Sequence, residues 1–257
     1  MKISIITVCF NSEKTIAETF DSVLRQTYDP IEYIVIDGKS IDGTVQIIQQ
    51  YEKRFAEKSV LFRWVSEKDK GLYDAINKGI AMSTGDVIGI LNSDDILAVP
   101  DALAKIVDTF ERDGCDAVYS DLYIMDPENM SMPNRVFIAG KRSYKMGWYP
   151  PHPTLYVRKE IYEKYGNYSL KYKIVSDYDF MLRIMKDGIQ MFYIPEVLVY
   201  MRAGGVSTHS LQSYKKSFDE SIYALKENGI KMPYCVNILR TMEILKQRIQ
   251  GMIRSRL

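Results

Sequence analysis

Histidine and cysteine are scarce in this chain, and long uncharged stretches are missing altogether. Two histidines (His152, His209) and three cysteines (Cys9, Cys115, Cys235) occur among 257 residues. So few imidazoles leave acid–base chemistry to carboxylates. Three widely spaced cysteines beside apolar residues fit a reducing compartment and argue against a disulfide framework or a zinc site. No run free of Asp, Glu, Lys and Arg exceeds twelve residues (Met146–Val157 and Ala203–Tyr214). A spanning helix needs about 20 apolar residues, so no transmembrane segment is expected. The apolar run behind Lys2 ends at Phe10 with no small-residue cleavage site, and reads as a first strand, not a signal peptide. Net charge is only +1, too little for a bulk field that attracts nucleic acid, and no such partner is expected. Glycine-rich phosphate loops are also lacking. Gly38-Lys39-Ser40 matches the end of a P-loop, but Tyr33 stands where its first glycine is required, and no G-x-G-x-x-G follows a strand.

What is present is an ordinary globular composition, 46% hydrophobic and 26% charged, in a length that allows one or two domains. The first half alternates strand and helix. Ile3–Cys9 is a nearly continuous apolar run of the kind buried on both faces of a sheet. Ser12 is placed to cap a helix carrying Ile16, Phe20, Val23 and Leu24. Tyr33–Asp37, Val60–Val65 and Val87–Leu91 are further strands, with helices over Val45–Phe55 and Tyr73–Met82 between them. Such βα repeats imply an α/β fold with a largely parallel sheet, and ligands gather at the carboxyl ends of its strands. The polar residues at those ends are Thr7, Cys9, Asn11, Asp37, Glu67 and Asn92–Asp95. From about residue 115 the rhythm loosens into short strands (Ala117–Asp121, Arg135–Ala139, Leu155–Arg158) and a Pro-rich stretch around His152. A helix over Asp177–Lys186, strands at Met191–Ile194 and Val197–Met201, a Gly-rich loop at Ala203–Thr208 and two terminal helices follow.

One buried strand ends in Asn92-Ser93-Asp94-Asp95. As a bare turn it needs no ligand. As a site, two adjacent carboxylates would repel without a cation, and hard Mg²⁺ or Mn²⁺ takes such oxygens together with diphosphate oxygens. With this cluster in view, the sequence resembles the family 2 glycosyltransferases, which are inverting enzymes of GT-A fold. The resemblance covers about residues 2–208. It rests on Thr7-Val8-Cys9-Phe10-Asn11, Asp37-Gly38 with Ser40, Asp42-Gly43-Thr44, Glu67 through Asn77, Asn92-Ser93-Asp94-Asp95 and Ser176-Asp177-Tyr178-Asp179. Where the family's Asp-x-Asp signature begins with an acid, this chain has Ser93. The resemblance implies a mixed sheet flanked by helices, with a catalytic domain over residues 1–208 (a nucleotide-binding half, 1–98, and an acceptor half, 99–208) and a helical extension over 209–257. It implies a nucleotide-sugar donor, a saccharide or lipid-linked acceptor, and work in polysaccharide or glycolipid synthesis in the cytoplasm or at the inner face of the membrane.

By family position, Asp95 is expected to hold the Mn²⁺ or Mg²⁺ and Asp94 to face the ribose. Asp37 is expected to accept the imide N–H of uracil, against the plainer reading that it starts a turn with Gly38. Thr7, Cys9, Asn11 and Glu67 are expected around the donor. Lys70 and Gly71, at a helix start, offer backbone N–H groups and positive charge to a diphosphate. Asp74 and Asn77, three apart, share one helix face and reach the donor unless that face is merely exposed. Ser176 and Asp179 resemble a capping box, and Asp179–Arg183 is an i,i+4 pair, which leaves Asp177 free as the general base. His152, Asp179 and Arg183 are the candidates for the acceptor side. Competing readings are a nucleotidyltransferase, although Asn11-Ser12-Glu13 replaces its basic loop, and a binding module without catalysis.

Residues 231–257 hold six Lys or Arg and one acid, Glu243. Cys235, Ile238, Met242, Leu245, Ile249 and Met252 step by three and four, a heptad seam. The basic excess fits an anionic membrane surface and the seam fits a homodimer.

Overall fold

The computed structural model describes residues 1–204 and 211–254; His209 and most of the expected Gly-rich loop lie outside them. The element order is β1 (Ile3–Cys9), α1 (Ile16–Leu24), β2 (Ile31–Asp37), α2 (Thr44–Glu57), β3 (Leu61–Ser66), α3 (Leu72–Met82), β4 (Val87–Ile90) and β5 (Ile96–Leu97). It continues with α4 (Ala102–Asp113), β6 (Ala117–Met125), β7 (Pro133–Phe137), β8 (Tyr156–Arg158), α5 (Lys159–Tyr165), α6 (Ser176–Lys186), β9 (Met191–Arg202), α7 (Leu211–Glu227) and α8 (Pro233–Arg254). The strands form one mixed sheet in the order β3-β2-β1-β4-β8-β6-β9-β5, with β7 hydrogen-bonded to β6. Strands β3, β2, β1 and β4 are parallel, β8 is antiparallel to both β4 and β6, and β9 returns parallel to β6.

Alternate side chains of β1 go to opposite sides of the sheet, which explains its largely apolar sequence. Ile3, Ile5 and Cys9 join Phe20, Ile48, Phe55, Leu103 and Phe110 from α1, α2 and α4. Ile6 and Val8 join Tyr73, Ile76, Ile80, Ile161, Phe180 and Ile184 from α3, α5 and α6. A third cluster ties the terminal helices to α6, where Tyr178 and Leu182 meet Ala224, Leu225 and Val236. The three-layer α/β architecture, the first four strands and the terminal helices agree with the sequence reading.

Three local expectations need correction, and two elements went unread. Ser12 does not cap α1 with its side chain: its carbonyl accepts from Thr15 and Ile16, while its hydroxyl meets those of Ser93 and, weakly, the Phe10 carbonyl. Ser176 is already the first residue of α6 and gives its hydroxyl to the Ser169 carbonyl, so no capping box forms. The two strands expected at 191–201 are one, β9. Its partner β6 steps from Ser120↔Ile194 to Asp121↔Val197, and the bulge absorbs Pro195, which has no N–H for the ladder. Strand β5 and helix α5 carried too little periodicity to be read.

Candidate active site

The carboxyl ends of β1, β2, β3 and β4 and the first turns of α3 and α6 carry the expected polar residues. At β2, Asp37 is fully buried. Its carboxylate accepts from the Ser40 amide and hydroxyl, the Ser66 hydroxyl and the Cys9 thiol. Contact with a uracil imide would require it to trade one of these hydroxyls for the base, and the turn reading of Asp37 holds alongside. Cys9 is a buried support for Asp37, its thiol pushed up by burial first and by the Asp37 charge second. Thr7 lies in the core with its hydroxyl on the Leu91 carbonyl and the Tyr33 hydroxyl, out of reach of a donor. Asn11 adopts a positive φ of 51° at the β1 exit, and its side chain accepts from the Ile41 amide.

Around α3 the diphosphate expectation is revised. The Lys70 N–H is taken by Asp74 and the Gly71 N–H by Asp69, so neither is open to an anion in this arrangement. Glu67 pairs with Lys78 at 2.8 Å. Asn77 uses its amide to clamp both backbone groups of Tyr168, joining α3 to the segment after α5.

Ser93 and Asp94 line a cavity of about 420 Å³ with Asn11, Ser12, Asp42 and Arg202, a size suited to a nucleotide. Asp95 sits behind this wall, 1% exposed, and accepts from the Asn92 amide and the Arg202 N–H. Burial pushes both carboxyls above the usual carboxylate range. For Asp95 the adjacent Asp94 adds to the rise, and the Arg202 charge opposes it for both. Two hard oxygen donors whose charge Arg202 offsets only in part fit a divalent cation. Among the described residues no three His, Cys, Asp or Glu side chains converge on a point. Beyond these carboxylates, the rest of a cation's shell would come from donor phosphates and water.

Asp177 stands half-buried in the first turn of α6. The Tyr73 hydroxyl lies 3.1 Å from its Oδ1 and 2.6 Å from the Ile174 carbonyl. The Tyr73 ring stacks on Tyr168 at 5.8 Å, and the Tyr168 hydroxyl meets His152 Nε2 at 2.9 Å. Burial pushes His152 below the usual imidazole range, against the pull of Asp177. His152 thus stands behind Tyr168 in a line that leads to Asp177.

Asp179 and Arg183 do not face an acceptor. Asp179 is 5% exposed and accepts from Asn228 and Arg183. Arg183 also donates to the Tyr165, Gly166 and Asn167 carbonyls at the end of α5. Both fasten α6 to its neighbours.

Sequence reasoning missed Arg202, Phe10 and Tyr73 as site residues. Arg202 ends β9 beside both aspartates, and its signal was a cation between the last strand and a Gly-rich loop. Phe10, 62% exposed at the β1 exit, was legible as an aromatic just past a buried strand. Tyr73 was read only as the start of a helix.

The family model "Glycosyl transferase family 2" matches residues 4–188. A PGL/p-HBAD biosynthesis glycosyltransferase of Mycobacterium bovis is 29% identical over 207 residues, 79% of this chain and 78% of that protein. An uncharacterized glycosyltransferase of Mycobacterium tuberculosis is 34% identical over 191 residues, 70% of this chain and 68% of its own. Among solved structures, S. aureus TarS 1–349 in complex with UDP-GlcNAc superposes with a TM-score of 0.68 at 17% identity, over 88% of this chain and 67% of that one. The chain spans 39% of the longer TarS chain. The mannosyltransferase PcManGT from Pyrobaculum calidifontis, in complex with GDP-Man and Mn²⁺, gives 0.68 at 16% identity, over 92% and 69% of the two chains. With its family match over most of the chain and its sheet built as theirs, this chain belongs to glycosyltransferase family 2 and has the GT-A fold.

Proposed function

We propose that this chain transfers a glycosyl group with inversion from a uridine diphosphate sugar to a hydroxyl of a saccharide or lipid-linked acceptor. The observation that carries the reading is Asp177. It is a half-buried carboxylate hydrogen-bonded, among the described residues, to the Tyr73 side chain, at the sheet end that also holds Asp94 and Asp95. In an inverting transfer the acceptor oxygen attacks the anomeric carbon opposite the leaving diphosphate. Asp177 takes the acceptor's proton as the new C–O bond forms and the old one breaks, its electron pair staying on the diphosphate. Asp95 would hold Mn²⁺ or Mg²⁺, joined by the adjacent Asp94 in place of the ribose contact expected from the sequence, and the ion when bound would neutralise charge on the diphosphate. Tyr73 orients Asp177, and Tyr168 with His152 holds Tyr73 in place. Asn11, Ser12 and Arg202 border the donor, with Phe10 and the Asp37–Ser40 turn at the end where the base would lie. The UDP-GlcNAc complex of TarS, the Mn²⁺ of PcManGT and the biosynthetic role in the name of the M. bovis relative support this assignment. The reading places the chain in polysaccharide or glycolipid synthesis at the cytoplasmic face of a membrane.

Release of nucleotide diphosphate from a panel of UDP- and GDP-sugars, with and without Mn²⁺, is the direct test. Metal-dependent turnover of a UDP-sugar is expected. Turnover unchanged by chelation, or confined to GDP-sugars, would overturn the metal or the uridine part respectively.

A further inference from the structure

Helix α8 is turned the wrong way round for a helix that ends in water. Its inner face carries the polar groups. Asn237 and Arg240 are buried, the Arg240 guanidinium lies over the rings of Tyr149 and Tyr178 at 5.2 and 4.8 Å, and Glu243 pairs with Arg142. The outer face is apolar. Tyr234, Ile238, Met242, Leu245 and Ile249 are each between 48% and 60% exposed. At about 100° per residue these five fall within roughly 80° of arc, nearly opposite Arg240. They include most of the heptad seam read from the sequence; the side chain of Met252 lies outside the described residues. A contiguous exposed stripe of this kind marks an interaction surface.

Charge selects what covers it. Setting aside the inward Arg240 and Glu243, the sequence from 231 to 257 holds five cations and no acid. Lys231 and Lys246 are exposed. A second copy laid along the stripe would bring cation against cation. An anionic bilayer satisfies both features, taking the apolar stripe at the acyl boundary and the cations at its phosphates. We propose that α8 is an interfacial helix that seats the chain on an anionic membrane surface. No helix among the described residues is long and apolar enough to cross the bilayer, so α8 lies in its plane. Through Arg240 on Tyr178, the seated helix is one packing layer from Asp177. Seating itself requires neither donor nor cation, so it is tested apart from catalysis.

Flotation with vesicles of phosphatidylcholine mixed with phosphatidylglycerol, against pure phosphatidylcholine, reads the proposal directly. Binding is expected to be about tenfold tighter or more on the mixed vesicles and to weaken as salt is raised. The double substitution Ile238→Glu and Leu245→Glu should reduce binding at least about tenfold. Circular dichroism and melting temperature should be unchanged, because both side chains face outward. Failure of the wild-type chain to float, or equal flotation of the folded variant, overturns the proposal. So does a wild-type dimer in sedimentation equilibrium that the same variant dissociates, since the stripe would then belong to a second copy.

Discussion

Asp177 and Asp179 are two residues apart and differ in every physical respect that matters. Asp177 is half-buried with Tyr73 as its side-chain partner among the described residues, whereas Asp179 is enclosed and bound by Asn228 and Arg183. Asp177→Asn should therefore leave folding and donor binding intact while single-turnover transfer falls by about 10²-fold or more. Asp179→Asn should lower the melting temperature by the equivalent of about 1–3 kcal/mol, with a smaller effect on transfer in folded protein. Loss of transfer in Asp179→Asn at unchanged stability would reverse the two roles. Glu32 offers a pH test of another kind. Burial opposes its ionisation, but the Ser4 hydroxyl, the Thr84 N–H and hydroxyl and the Arg63 charge outweigh that and hold its carboxyl below the usual range. A lowered folded value stabilises the fold above the unfolded carboxyl pKa of about 4.3 and loses that contribution as pH falls through the folded value. Glu32→Gln should melt lower than wild type at pH 7 by about 1–3 kcal/mol. Thermal melts across pH should show the gap closing as the solution is acidified below that range.

Among the elements, β4 shows how close the central sheet packs. Gly89 lies opposite Tyr156 of β8, and a Cβ on it would stand 2.1 Å from the tyrosine ring. Gly89→Ala should cost about 1–3 kcal/mol by overpacking. Denaturant titration checks this, and combining it with Tyr156→Leu should recover part of the loss, because the two positions share one space. A strand shifted here would move Asn92 to Asp95 directly, so donor affinity in Gly89→Ala should weaken alongside stability. Helix α6 shows the same economy of position. Its first turn presents Asp177, its buried side carries Asp179, and Tyr178 between them receives Arg240 from α8.

For the whole molecule, ligand and cation act together on one folding equilibrium. A ligand at about 100 times its Kd stabilises the folded state by about 2.7 kcal/mol. In a chain of this size that is roughly 5–10 °C in melting temperature. Uridine diphosphate should give such a shift with Mn²⁺ and little without it, and Asp95→Asn should remove the difference. Equal shifts with and without the cation would separate the nucleotide site from the aspartates.

Much of this molecule was legible along the chain. Strands buried on both faces are largely apolar, so β1, β2 and β4 announced themselves, and helical patterning between them announced α1 to α3. Six short motifs in order marked the strand exits and helix starts that carry Asp37, Asp94, Asp95 and Asp177, because such exits and starts are local features. Partnership is not local. Only the tertiary structure decided that Asp37 is ringed by Ser40, Ser66 and Cys9, and that Asp69 and Asp74 occupy the N–H groups at the start of α3. Only packing could bring Arg202 to Asp95, which lies 107 residues earlier, or turn the heptad seam of α8 outward. Which partner takes a hydrogen-bonding group, near in sequence like Asp69 and Gly71 or far like Arg202 and Asp95, and which face stays exposed are settled when the layers close.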